Sequence, residues 1–94
     1  MHKINIGTLK YFLVVCEERH FTKAAKLCGI SQPTLSVAIQ RLEHRLGGVL
    51  FERQADGVGL SQLGRDLRPI FRAIVRQADR AVSKSPRHNG LPFH

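Results

Sequence analysis

A mainly α-helical domain, with three packed helices, a short β-hairpin and a long fourth helix, follows from three features of this 94-residue sequence. Apolar residues recur at helical spacing in four stretches, which Gly29, Gly47-Gly48 and a polar segment at 54–57 separate. The second and third stretches are joined only by residues 29–31, a link short enough to fold the second helix back across the third. An Asp-Gly pair at 56–57 lies between two short strand-like runs, a strong hairpin signal. A chain of this length supports one modest core, burying about two-thirds of its unfolded surface.

The first helix carries Leu9, Phe12, Leu13 and Cys16 at i, i+3, i+4 and i+7, and Asn5 can cap its first turn. Gly7 weakens that turn by up to about 1 kcal/mol relative to alanine. The second helix is expected to start near Thr22 as its cap, to bury Ala25, Leu27 and Cys28, and to stop at Gly29. The third is the best marked. Ser31 caps it, Pro33 sits in the first turn where a missing amide is harmless, and Leu35, Ile39, Leu42 and Leu46 form one narrow apolar face. Thr34, Val37, Gln40, Arg41 and Arg45 occupy its other side, and Gly47-Gly48 ends it.

Residues 49–53 read as a strand, 54–57 as a tight turn and 58–61 as the return strand. From Ser61 or Gln62 to about Ser83 runs one long helical pattern, roughly 33 Å at 1.5 Å per residue. Leu63, Leu67, Ile70, Phe71, Ile74, Ala78, Ala81 and Val82 mark one side of it; Arg65, Arg68, Arg72, Arg76 and Arg80 mark the other. Pro69 is expected to bend or kink this helix. Residues 85–94 hold two prolines, a glycine and no period, as a tail or hinge does. The organisation is that of a winged helix-turn-helix over residues 1–61, a linker or dimerisation helix over 62–84 and the tail beyond.

Composition narrows the function. Fifteen Lys and Arg against seven Asp and Glu give a net charge of +8, and a pI near 10.6 points to a polyanionic partner. No apolar run approaches the roughly 20 residues of a membrane span, and Met1-His2-Lys3 is no secretory start, so a cytoplasmic protein with no membrane partner is expected. Catalysis is not expected: a glycine-rich phosphate loop, a Gly-x-Ser-x-Gly turn and paired carboxylates on one face are all missing from the sequence. Cys16 and His20 lie one helical turn apart, but a structural zinc site wants four ligands, and both Cys16 and Cys28 fall on core-facing positions. Buried thiols are therefore expected, with no metal and no cofactor.

Phe21-Thr22-Lys23-Ala24-Ala25, then Ser31-Gln32-Pro33-Thr34-Leu35-Ser36, Ile39, Leu42-Glu43, Leu46-Gly47 and Leu50-Phe51-Glu52-Arg53 together closely resemble the N-terminal domain of LysR-type transcriptional regulators. Leu60-Ser61-Gln62-Leu63-Gly64 resembles that family's passage into its linker helix, and the likeness runs over about residues 4 to 85. It implies sequence-specific binding of double-stranded DNA and a homodimer formed through the linker helix. It also implies further assembly through an effector domain of about 200 residues, which this stretch does not encode. The periodless tail favours a fragment cut near the hinge over a stand-alone domain.

Reading a duplex needs a slender polar element with donors and acceptors at its exposed end, and the third helix, about residues 31–46, supplies one. Gln32 can bond an adenine edge on two sides, Thr34 and Ser36 can meet bases or phosphates, and Pro33 can touch a thymine methyl. The resemblance extends the face from Ser31 through Ser36 to Val37 and Gln40, and Val37 replaces a residue that is often polar or basic in the family. It also places Arg53, at the wing's base, on the DNA backbone or in the minor groove; the plainer alternative is a surface pair with Glu52 or Glu43. Arg41 joins the face, while Arg45 lies farther from it. Lys10, Lys23 and Lys26 read either as phosphate-side charges or as plain surface. Leu63, Leu67, Ile70, Phe71, Ile74 and Ala78 form the expected dimer face. The competing reading is a winged-helix interaction and oligomerisation module without sequence-specific DNA reading.

Overall fold

The structure, a computed structural model, describes residues 4–85. Its elements run α1 (Ile6–Glu18), α2 (Phe21–Cys28), α3 (Gln32–Leu46), β1 (Phe51–Gln54), β2 (Gly57–Leu60) and α4 (Gln62–Lys84). The expected tail therefore lies, from residue 86 onward, outside the described residues.

Local chemistry fixes the helix ends. Side-chain oxygens of Asn5, Ser31 and Ser61 accept from the backbone amides of Gly7, Thr34 and Gly64, so α1, α3 and α4 each begin with an orphan donor satisfied. Gly29 and Gly47 close α2 and α3 in the left-handed conformation. The start of α2 differs from the expectation. Phe21 is its first residue, His20 holds the cap position without a side-chain bond, and Thr22 lies inside the helix. Phe21 is drawn inward, where its ring meets Phe51 edge-on at 5.9 Å.

Leu9, Phe12, Val15, Ala24, Ala25, Leu35, Ile39, Leu42, Leu50 and Phe71 form one core. Phe12 is its centre, with Phe51 at 5.3 Å and Phe71 at 5.4 Å between ring centroids. On α1 the buried line is Leu9, Phe12 and Val15, whereas Leu13 and Cys16 are half-buried. The continuous apolar run Tyr11 to Cys16 left several faces open, and packing against α2, α3 and α4 chose among them. Leu27, expected inside, is 66% exposed, because α2 turns Ala24 and Ala25 inward instead. These small residues let α2 lie close to its neighbours.

β1 and β2 pair antiparallel, Phe51 opposite Leu60 and Gln54 opposite Gly57, around a turn at Ala55-Asp56. The first strand starts later than expected. Leu50 is fully buried before it: its amide donates to Glu43 Oε2 at 2.7 Å, and its carbonyl accepts from the Ser61 amide at 2.9 Å. Ser61 Oγ also donates to the Val49 carbonyl at 2.6 Å. One residue thus joins α3, the hairpin and the start of α4. The hairpin is pinned a second time where the Val58 amide donates to the Arg19 carbonyl at 2.9 Å. Gly57, with φ 132°, sits so close that a Cβ there would lie 2.2 Å from that same oxygen.

α4 continues unbroken through Pro69. Phe71, expected on the dimer face, is only 3% exposed and belongs to this domain's own core, edge-on to Phe12. Leu63 and Leu67 are half-buried against the same core, and Ala78 is half-buried. The arginine side is not wholly solvated either. Arg68 and Arg72 are half-buried and lie near Cys16 of α1, where their stems cover apolar surface. Ile70, Ile74 and Val82 remain 53%, 40% and 58% exposed. Lys10 Nζ and Asp79 Oδ1, 3.2 Å apart, join α1 to α4 in an exposed pair worth about 0–1 kcal/mol.

The Leu50 junction leaves no room at Gly64, where a Cβ would fall 2.3 Å from the Leu50 carbonyl oxygen. Gly64→Ala should destabilise the domain by about 1–3 kcal/mol as overpacking, seen as a fall in Tm of roughly 5–20 °C. Gly59→Ala, whose Cβ meets the exposed Gln54 side chain rather than backbone, is the comparison: it must displace Gln54 from Arg19 but should cost less, within about 1 kcal/mol. Equal losses in the two variants would contradict this view of the junction.

Candidate nucleic-acid interface

The amino end of α3 is an exposed polar edge, with Ser31, Gln32, Pro33 and Thr34 all at the surface. Ser31 Oγ accepts from the Thr34 amide at 3.2 Å and donates to Thr34 Oγ1 at 2.8 Å, which stiffens the first turn. Leu35, Ile39 and Leu42 hold the helix to the core from beneath. The outer surface is left open: Gln32, Pro33, Thr34, Val37, Gln40 and Arg41 are exposed, Val37 at 44%, and Ser36 is half-buried. The positive end of the helix dipole sits at this edge. Pro33 lacks an amide and those of Thr34 and Leu35 are bonded back to Ser31, so the Gln32 amide is the one in the first turn of α3 left for a partner.

The expected site residues divide into two neighbouring groups. Gln32, Ser36 and Gln40 face a cleft between α2, α3 and the hairpin, and Arg53 and Gln54 close its far side. Pro33, Thr34, Val37 and Arg41 line a shallower depression on the adjoining flank of α3. Val37, Gln40, Arg41, His44 and Arg45 line a third hollow farther along α3.

The cleft, about 1030 Å³, is larger than an ordinary small-ligand pocket and is lined by Arg19, Lys23, Lys26 and Arg53, with Glu43 as its carboxylate. Glu43 commits an oxygen to the Leu50 amide rather than to a surface pair with Arg53. The cleft is therefore a cationic trough, with four basic side chains against one carboxylate, and that charge suits a polyanion's backbone. Lys23 and Lys26 line it and are exposed.

Sequence reasoning missed Arg19, His20 and Gln54. Arg19 is the left-handed cap of α1, at φ 62°. Its guanidinium donates to Gln54 Oε1 and, through Nε, to the Val58 carbonyl at 3.4 Å, so it struts the hairpin against the helices. The one available signal was the polar stretch Glu17-Glu18-Arg19-His20 at a helix end, which does not announce a contact 35 residues away.

The cysteines stand apart from this edge. Both are free thiols, half-buried. Burial pushes the Cys16 thiol up to about 11, although the guanidiniums of Arg68 and Arg72 pull the other way. Burial raises Cys28 as well. Among the described residues, no group of three or more His, Cys, Asp or Glu is placed to hold a metal ion, and no helix is long and apolar enough to cross a membrane.

Residues 6–65 match the family described as "Bacterial regulatory helix-turn-helix protein, lysR family". The HTH-type transcriptional regulator BudR of Klebsiella aerogenes is 46% identical over 77 residues, which cover 82% of this chain and 54% of that protein. The DNA-binding transcriptional dual regulator OxyR of Escherichia coli K12 is 42% identical over 74 residues, 79% of this chain and 24% of that protein. This chain thus spans about half of one relative and about a quarter of the other. Among solved structures, the BenM DNA-binding domain in complex with catB site 1 DNA superposes with a TM-score of 0.83 at 35% identity, covering 94% of this chain and 99% of that one.

A raised Cys16 pKa means that the folded domain holds a proton which the unfolded chain releases at lower pH. Its contribution to stability should be complete below about pH 9 and fall as pH rises toward 11. Melting curves across that window should show the loss in the parent and a smaller one in Cys16→Ala. An identical decline in both would assign the effect to other groups.

Proposed function

The chain belongs to the LysR family of bacterial regulatory helix-turn-helix proteins, and we propose that it is the part of a transcription regulator that binds double-stranded DNA with sequence preference. The observation that carries this reading is the open amino end of α3 beside a cationic trough. The likeness to a DNA-binding domain in complex with DNA supports it over nearly the whole chain.

In this reading α3 enters the major groove by its first turns. Gln32, Pro33 and Thr34 reach base edges, with Ser36, Val37, Gln40 and Arg41 behind them. Ser31 keeps the first turn rigid, and the Gln32 amide at the positive end of the helix receives a phosphate. Val37 offers a thymine methyl an apolar contact where a polar residue would read a hydrogen bond. Arg53 meets the backbone or minor groove from the hairpin, while Arg19, Lys23 and Lys26 neutralise phosphates along the trough. The work is binding and positioning, with no bond made or broken.

One such module covers few base pairs, and a second copy would double the contacts at a fixed spacing. The exposed Ile70, Ile74 and neighbouring Ala78, with the flanks of Leu63 and Leu67, are the surface we assign to that second copy in a symmetric homodimer.

Three measurements test these assignments. Duplex affinity should fall steeply with salt, with a slope set by the phosphates contacted. Gln32→Ala should erase about tenfold or more of the preference for a selected site while leaving random-duplex binding nearly intact; equal losses on both duplexes would remove Gln32 from base readout. Separately, Ile74→Glu should convert a dimer to monomer by analytical ultracentrifugation, and a dimer that persists unchanged would refute this face of α4 as the interface.

A further inference from the structure

Gln32 stands at the first position of α3 and is exposed, so its amide would ordinarily rotate freely and present either end to a base. It is not left free. Thr22 Oγ1, on the second residue of α2, lies 3.1 Å from Gln32 Oε1. An amide oxygen can only accept, so in this arrangement the hydroxyl donates and the amide nitrogen is the end left pointing outward. Both residues line the trough between α2, α3 and the hairpin, so the bond sits where a duplex would arrive.

We propose that Thr22 is a positioning residue for base recognition: by holding the oxygen of Gln32, it turns the amide nitrogen toward the groove and selects base edges that offer an acceptor. This rests on the DNA-reading role proposed above. Two protons on Nε2 are then left for purine N7, guanine O6 or thymine O4. One lone pair of Oε1 also remains, so an adenine can still be met on both its N7 and its amino group. Cytosine, whose major-groove edge offers only the N4 donor, can meet that lone pair but leaves both Nε2 protons without an acceptor, so it is disfavoured at that position. Thr22 therefore acts on sequence preference without touching a base, and serine can replace it whereas valine cannot.

The test uses the chain as it stands, with duplexes selected from a random pool and then varied at each base pair. The parent should show its Gln32-dependent preference at one position, located by Gln32→Ala. Thr22→Val, nearly isosteric, should lower that preference by about threefold to tenfold, the cost of ordering one freed side chain. Binding to random duplex and the melting temperature should stay unchanged, and Thr22→Ser should restore the parent's preference. In Gln32→Ala, adding Thr22→Val should cost nothing further at that position. A uniform loss on every duplex would make Thr22 a phosphate contact and overturn the proposal, as would a Thr22→Val protein with the parent's preference intact. If the parent distinguishes no duplex from any other, the DNA-reading role itself fails, a result distinct from either of these.

Discussion

Leu50 is the knot on which the arrangement depends. Its side chain fills the core, its amide takes a carboxylate oxygen from Glu43 of α3, and its carbonyl takes the amide of Ser61, the cap of α4. Ser61 returns a second bond to the Val49 carbonyl, and the close approach of Gly64 seals the contact. A buried carbonyl or amide left unpaired costs about 1–3 kcal/mol, so breaking any strand of this knot would be felt in the other elements. The hairpin, the end of α3 and the start of α4 are consequently set in one geometry by a residue that belongs to none of them.

That geometry positions the functional edge. With α3 held from below by Leu35, Ile39 and Leu42, its first turns stand clear of the body. The hairpin is tied through Leu50 at its base and through Arg19 near its turn, and its Arg53 lines the same cationic trough as Gln32, Ser36 and Gln40 of α3. α4 divides its labour by face. Phe71 packs edge-on against Phe12 of α1 and Arg68 and Arg72 lie half-buried near Cys16, while Ile70 and Ile74 stay exposed on the face proposed above for a second copy. Rigidity at the base and openness at the tip are what a groove-reading element needs, since side chains must be held within fractions of an ångström before they can discriminate base edges.

The parts legible in the sequence were those decided by neighbours along the chain. Asn5, Ser31 and Ser61 cap because a hydroxyl or amide oxygen meets an amide two or three residues on, and glycines end α2 and α3 for equally local reasons. The polar outer face of α3 was legible because its apolar face was narrow and regular. What the sequence withheld was decided across the fold. The run from Tyr11 to Cys16 is apolar all round, so only packing could choose Val15 for the interior. Phe71 looked like part of an intermolecular stripe until Phe12 supplied an intramolecular partner. Leu27 gave way to Ala24 because two helices needed to approach closely. Thr22 carries a cap's chemistry but spends it on Gln32, ten residues away. Arg19 likewise takes its role from a hairpin that no helical period could foresee.

The central claim is that the amino end of α3, with the hairpin, is the surface that meets duplex DNA. Amide hydrogen exchange with and without a duplex at low salt tests it most directly, because it reports every backbone position at once. The account predicts slowed exchange over residues 31–41 and 52–58, with the outer face of α4 unaffected. Protection along Arg65 to Arg80 with residues 31–41 unchanged would contradict it.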